Sequence, residues 1–314
     1  MLHSLRTSFL ASLLIKVVLV TWVAASITFA VMHATPGTYA DLLLSDLAQY
    51  GLTAERRAEI VAVYGFDKPM WQQYLLYLSK VFRGDLGMSY ALAQPVLDLI
   101  LAQLAPTLYL AASAIALSLG IAVLVAIATL RAGRFGRMLS SICEVVVVSV
   151  PNFWLGLILL TWLSFGLGWF PAAGATGFAS LVLPALTLGI PMAGTFVQIL
   201  RPELQKEVNA PYFITARARG RGFHAVVLRH ALLHAILPVL TLSASYFAIL
   251  ISGSVIVENL FGRPGIGRLM LNAVLVKDVP LVSGIVILSA VAFVVINQSV
   301  DRLILWIDPR IERH

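Results

Sequence analysis

His230 and His234 stand four residues apart, the spacing that brings two imidazoles onto one helix face where they can share a zinc ion. The intervening Ala231-Leu232-Leu233 supplies no glutamate as general base, and no third ligand lies nearby. This favours a packed polar role for His230 and gives no metal site. Cys143 is the only cysteine, so neither an intramolecular disulfide nor a cysteine metal site can form. Glu144 is the one carboxylate close enough to an apolar run to enter a membrane span, where acids are functional candidates by default. It lies about one helical turn past Ser140 and Ser141, which reads as a satisfied interfacial acid with Arg137 as its candidate partner. No Gly-x-x-x-x-Gly-Lys-Ser/Thr phosphate loop occurs and the dipeptide Gly-Lys is absent, so the sequence carries no nucleotide-hydrolysing phosphate loop of this kind. No grouping of nucleophile, base and orienting residue points to a membrane enzyme.

The elements that position these residues are membrane helices. Of 314 residues, 60% are hydrophobic and 12% charged, with a mean hydropathy of +0.91, whereas soluble domains carry about 25% charge. A soluble enzyme is excluded. A helix needs about 20 mostly apolar residues to cross the hydrocarbon core, and six such spans are read at 13–33 and about 107–130, 142–165, 181–200, 236–257 and 281–305. The first is longer than the core of a signal peptide, and Ala24-Ala25-Ser26 lies inside it, so it reads as a retained span. Residues 1–12 and 308–314 are tails, and 34–105 forms the long connection between the first two spans.

Six spans put both termini on one side, and basic residues choose that side. Fourteen of the 22 Lys and Arg fall with the termini: Arg6, Lys16, Arg131, Arg134, Arg137, Arg201, Lys206, Arg217, Arg219, Arg221, Arg229, Arg302, Arg310 and Arg313. The short loops opposite hold three, Arg263, Arg268 and Lys277. Both termini are therefore expected in the cytoplasm and segment 34–105 outside it. The net charge of +7 is largely a topology device, and no nucleic-acid partner is implied. An ion-coupled secondary transporter, the alternative from a different class, would place carboxylates or histidines at mid-span, and the apolar runs contain none.

The connections are informative. Segment 34–105 carries Tyr39, Tyr50, Tyr64, Phe66, Trp71, Tyr74, Tyr77, Phe82 and Tyr90. Pro69 can open a short amphipathic helix through Trp71, Tyr74, Leu75 and Leu78, lying against the outer ends of the spans as a structural cap or a docking surface. Connection 201–235 predicts two short helices, one from Pro211 and one from Phe223, broken at Gly220-Arg221-Gly222. Such a basic, apolar knob suits a protein groove or acidic lipid heads. In the two spans before it, Trp154 and Trp162, eight residues apart, fall roughly on one helix face, toward lipid or a cavity, while Pro151, Pro184 and Pro191 are expected to bend their helices. The outer loop 258–280 carries Gly262, Pro264, Gly265 and Gly267, expected to form a tight turn through glycine's permissive backbone angles, either a gate, a binding-protein contact or a structural hairpin.

Residues Tyr212-Phe213-Ile214-Thr215-Ala216-Arg217-Ala218-Arg219-Gly220, then Arg229-His230-Ala231-Leu232 and Leu237-Pro238, resemble the cytoplasmic coupling loop of ABC importer permeases of the dipeptide, oligopeptide and nickel transport family. Counterparts to further family motifs follow in order: Tyr64-Gly65-Phe66-Asp67-Lys68-Pro69, Gly84-Asp85-Leu86-Gly87-Met88-Ser89, Pro106-Thr107-Leu108, Val150-Pro151-Asn152-Phe153-Trp154 and Phe170-Pro171-Ala172-Ala173-Gly174. Glu258 through Arg268, Asp278-Val279-Pro280 and Asp308-Pro309-Arg310 complete the set. Two departures stand out: Pro36-Gly37-Thr38-Tyr39 lacks the family's acidic residue, and Arg221-Gly222 replaces an apolar residue after the loop glycine.

The resemblance implies a type I importer permease of the bacterial cytoplasmic membrane. It implies a second homologous permease subunit as heterodimer partner, one or two ABC ATPase subunits that use ATP and magnesium, and an extracytoplasmic solute-binding protein. The chain itself would bind no cofactor. It assigns ATPase coupling to Tyr212, Thr215, Ala216, Arg217, Ala218, Gly220, His230, Leu232 and Pro238, and a gate or binding-protein contact to Glu258, Phe261, Pro264, Gly265, Gly267, Asp278 and Pro280. The implied cargo is a di- or oligopeptide, with nickel or a metal chelate as the alternative.

Overall fold

The computed structural model describes residues 2–34, 68–174 and 177–307. Tyr39, Tyr50, Tyr64 and Phe66, the departure at 36–39, the motif residues 64–67 and the closing residues 308–314 lie outside the described residues. Apart from one isolated bridge between Met88 and Pro95, every regular element among the described residues is helical. In chain order these are α1 (Leu2–Ala34), α2 (Met70–Phe82), α3 (Val96–Leu130), α4 (Arg134–Ser149) and α5 (Asn152–Leu159), which runs into a π-helical stretch over Leu160–Gly166. There follow α6 (Ala179–Val208), α7 (Pro211–Ala218), α8 (Phe223–Val226), a π-helical turn at Val227–Ala231, and α9 (Leu232–Ala235). The remainder are α10 (Leu237–Gly253), α11 (Val255–Leu260), α12 (Ile266–Leu275) and α13 (Val279–Ile307).

Four helices are long and apolar enough to cross a membrane, over Ala11–Ala34, Val96–Leu130, Ala179–Val208 and Val279–Val300. Two bent pairs bring the number to six if each is one span: Arg134–Ser149 with Asn152–Gly166, bent by 99°, and Phe223–Ala235 with Leu237–Ile251, bent by 55°. The stretch expected as one span at 142–165 is therefore an elbow. Val150 is extended, as the residue before a proline favours, and Pro151 cannot donate the hydrogen bond that would carry the helix on. Pro184 and Pro191 do not interrupt their helix. They sit inside α6 without breaking it, on a helix that is buried along much of its length.

The chain forms two compact units, residues 1–103 with 269–295, and 104–268 with 296–314. In the first, Ser26 and Thr28 of α1 share hydrogen bonds with the phenols of Tyr74 (2.7 Å) and Tyr77 (3.1 Å) of α2. Ala24, Ala25, Val81 and Ile287 form the buried cluster. In the second, α6 supplies Leu188, Met192, Phe196, Leu200 and Leu204 to a core shared with Leu110, Ala114, Val239 and Phe261. Glycine and small residues set the helix spacing there. A Cβ at Gly189 would lie 3.0 Å from the Ala114 carbonyl, and one at Gly194 would lie 2.8 Å from Val148.

That close approach explains the partner of Glu144. Arg201, seven residues beyond Gly194 on α6, is brought against α4 and forms an ion pair with Glu144, replacing the expected Arg137. Arg201 also donates to Ser140 (2.7 Å) and Thr129 (3.0 Å), so a charge pair buried in an apolar setting has its remaining donors satisfied.

Candidate functional site

The 211–238 region is built from a helix start that the sequence announces. Ala210 is extended, and Pro211 occupies the first turn of α7, where its missing N–H costs nothing. Phe213 is buried and packs edge-to-face on Phe223 at 5.6 Å. The Arg131 guanidinium lies 5.2 Å from the centre of the Phe223 ring, a cation–π contact. These aromatic contacts tether α7 to the helical core of its unit. Tyr212 donates its phenol proton to Glu207, and burial, followed by that carboxylate, pushes the phenol above its usual pKa.

The end of α7 is a Schellman cap. Gly220 takes a left-handed conformation (φ +83°), its N–H reaches the Arg217 carbonyl at 3.0 Å, and the Arg221 N–H reaches the Ala216 carbonyl at 3.4 Å. Arg221, one of the two departures, is held on both sides. Its carbonyl accepts from Arg217 at 2.7 Å, and its guanidinium donates to His230 Nε2 at 3.1 Å, which requires that nitrogen to be unprotonated. His230 thus lies in the π-helical turn as an acceptor for Arg221. His234 is exposed, with its ring 6.3 Å from that of Tyr212. The π-turn and the arginine clasp had no signal in the helical periodicity. Ile214, Thr215, Arg217 and Ala218 face outward, Ala216 and Leu232 are half-buried, and Pro238 sits at the 55° bend.

The outer loop is organised by two buried acids. Glu258 is fully buried; it accepts from the Thr107 hydroxyl (2.7 Å), the Ser254 hydroxyl (2.8 Å) and the Arg268 backbone N–H (3.0 Å). Thr107 in turn accepts from the Ile266 N–H at 2.9 Å. Ile266 and Arg268 open α12, a helix preceded by glycine and lacking a capping side chain of its own. Glu258 and Thr107 therefore act as its N-cap from elsewhere in the fold, with the acid favourably placed at the positive end of the helix dipole.

This corrects the expected reason for the glycines. Gly265 and Gly267 do not take positive φ; a Cβ at Gly265 would fall on the Glu258 carboxylate at 2.2–2.3 Å, and one at Gly267 would strike the Val255 backbone at 2.6 Å. Only Gly262 (φ +58°) uses the left-handed region there. Pro264 is half-buried beside them. Asp278 is the second buried acid. It caps the first turn of α13 through the Leu281 N–H (3.3 Å) and binds the Ser89 hydroxyl and the Ala91 N–H. Glu258, Phe261, Asp278 and Pro280 are buried, so they shape the loop from within; its exposed tip is Val274, Leu275, Val276 and Lys277.

Residues 114–313 match the family model described as binding-protein-dependent transport system inner membrane component. The chain belongs to that family. It is 36% identical over 299 residues to a putative peptide transport system permease protein of Brucella abortus, covering 92% of this chain and 94% of the relative. It is 33% identical to the glutathione transport system permease protein GsiC of Escherichia coli and 34% to that of Salmonella typhimurium, with 92% and 94% covered in each case. As a family member the chain is a non-catalytic, multi-pass permease subunit of the bacterial cytoplasmic membrane, in an ATP-driven importer whose other parts include an ATPase and a binding protein.

Proposed function

We propose that this permease imports short peptides, beside a second homologous permease subunit in a heterodimer, and that residues 212–238 receive the work of one or two ATPase subunits. ATP and magnesium are used by those subunits, and this chain binds no cofactor. The observation that carries the coupling assignment is the form of α7. It is a short helix with a rigid cap at one end and an aromatic anchor on one face, leaving Ile214, Thr215, Arg217 and Ala218 to fill a groove in a partner. The basic residues around it support a cytoplasmic position. A force applied there is transmitted through Phe213 and Phe223 to the span-forming helices, which switch access between the two sides of the membrane.

The peptide cargo is supported by the relatives named for peptide and for glutathione, itself a tripeptide. The outer loop 258–280, fixed by Glu258 and Asp278, acts as the outer gate. The test is uptake by proteoliposomes holding the complete importer with its binding protein. Labelled peptide enters only with ATP inside the ATPase compartment, and nickel does not compete. Nickel uptake with no peptide uptake would overturn the cargo; uptake of either without ATP would overturn the coupling.

A further inference from the structure

The helix α2 precedes the second span and is too short to cross a bilayer, yet its packing carries it along the side of one. Its residues meet α1 in antiparallel order. Gln73 faces His33 (3.4 Å between side-chain atoms), Tyr77 bonds Thr28, and Val81 packs in one cluster with Ala24 and Ala25. Tyr74 and Tyr77 also flank the ring of Phe29, at 5.3 and 5.7 Å. Further along, Val81 and Phe82 line a cavity together with Val17, Val18 and Thr21 of α1.

The depth follows from helix geometry. The apolar stretch of α1 is Ala11–Ala34. A hydrocarbon core of about 30 Å takes about 20 residues at 1.5 Å each. If the core begins at Ala11 it ends near residue 30; if it begins after Lys16 it takes in the rest of the helix to Ala34. In either case Ala24 lies about 9 Å or more inside the boundary. The carboxyl end of α2 is at that level, while its amino end, opposite His33, is near the surface.

A helix in that position needs an apolar face toward lipid, and α2 has one besides the face packed on α1. Trp71, Leu75 and Phe82 follow the i, i+4, i+11 pattern of a single stripe and are exposed by 62%, 55% and 49%, while Leu78 beside them is partly buried against the Ala24, Ala25 and Val81 cluster. Gln72, Ser79 and Arg83 lie off that stripe. Beside it, α1 also exposes apolar residues, among them Leu19, Trp22 and Ile27. The alternative, an apolar stripe in open water, would leave three large side chains exposed for no gain.

We infer that α2 is a re-entrant half-span whose Trp71–Leu75–Phe82 stripe rests on the acyl chains of the outer leaflet, with Trp71 at the interface where aromatic residues settle. Its occupant is lipid, not the binding protein or the second permease. The inference rests on the packing of this unit and is independent of the cargo.

Single spin labels at positions 71, 75, 82, 72 and 79, on the Cys143→Ser background in the complete importer in nanodiscs, test it. Labels at 71, 75 and 82 are expected to collide with oxygen and exclude a water-soluble nickel chelate, increasingly so from 71 to 82; the label at Gln72 or Ser79 collides with the chelate severalfold more. Chelate access at 75 and 82 equal to that at 72 would overturn the inference in favour of water. Protection from both reagents would overturn it in favour of a protein cover. A bimane fluorophore at the same sites, quenched by lipid brominated along its chains, gives an independent reading: quenching at 82 at least twofold above that at 72 supports the half-span, and equal quenching contradicts it.

Discussion

Single residues in this permease show how one side chain dictates the identity of others at a distance in sequence. Gly265 is glycine because Glu258 is there, not because the chain turns sharply. Gly265→Ala is expected to lower stability by about 1–3 kcal/mol, the usual cost of overpacking, read as a fall in the melting temperature of the detergent-extracted complex. Glu258→Ala on the same background should restore part of the loss by removing the clash. The buried pair Arg201–Glu144 predicts a second asymmetry. Arg201→Leu or Glu144→Leu alone should destabilise by about 3–5 kcal/mol, since each strands the opposite charge, whereas the double replacement should cost much less than the sum. A melting series of the four proteins decides this, and an additive double variant would refute the pairing. Glu144 was visible in the sequence as an acid beside a span. Its partner was not, because Arg201 is brought to it by helix packing at Gly194 and not by helical periodicity.

Among the elements, α7 carries the coupling account. Its cap places the strain of any substitution at Gly220 in the backbone, since a Cβ there would meet no atom within 4 Å. Gly220→Val should therefore loosen the end of α7 by about 1–2 kcal/mol and uncouple transport from ATP hydrolysis. Gly220→Asn, which tolerates the left-handed region, should retain most uptake. Equal loss in both variants would mean that the open surface matters, not the cap. A second helix end obeys the same geometry with a less suitable residue. Lys277 has φ +57° and closes α12 through N–H bonds to Val274 (Lys277) and Ala273 (Asp278), so Lys277→Gly should raise the melting temperature. The starts of α7 and α2 were legible from Pro211 and Pro69, and the break after Arg219 from its glycines. The 99° elbow at Pro151 was less so, because α6 holds three prolines, Pro184, Pro191 and Pro202, without breaking, a difference that a local pattern does not contain.

At the scale of the whole molecule, the buried Glu144–Arg201 pair joins α4 to α6. The energy source lies in another protein, which fits a chain with no phosphate loop and an ordered knob between its spans. Composition made the membrane class legible. The order of motifs made the family legible. The cargo was not, because the motifs that carry the resemblance are shared by peptide and nickel permeases. The measurement that tests the account most directly is ATP-dependent uptake of a labelled tripeptide by proteoliposomes containing the complete importer, with Ile214→Asp compared against the unaltered chain. The account predicts uptake that requires both the ATPase and ATP, and that falls at least tenfold in Ile214→Asp while the variant remains inserted beside its partner permease. Uptake in Ile214→Asp at the unaltered rate, or uptake without the ATPase, would contradict it.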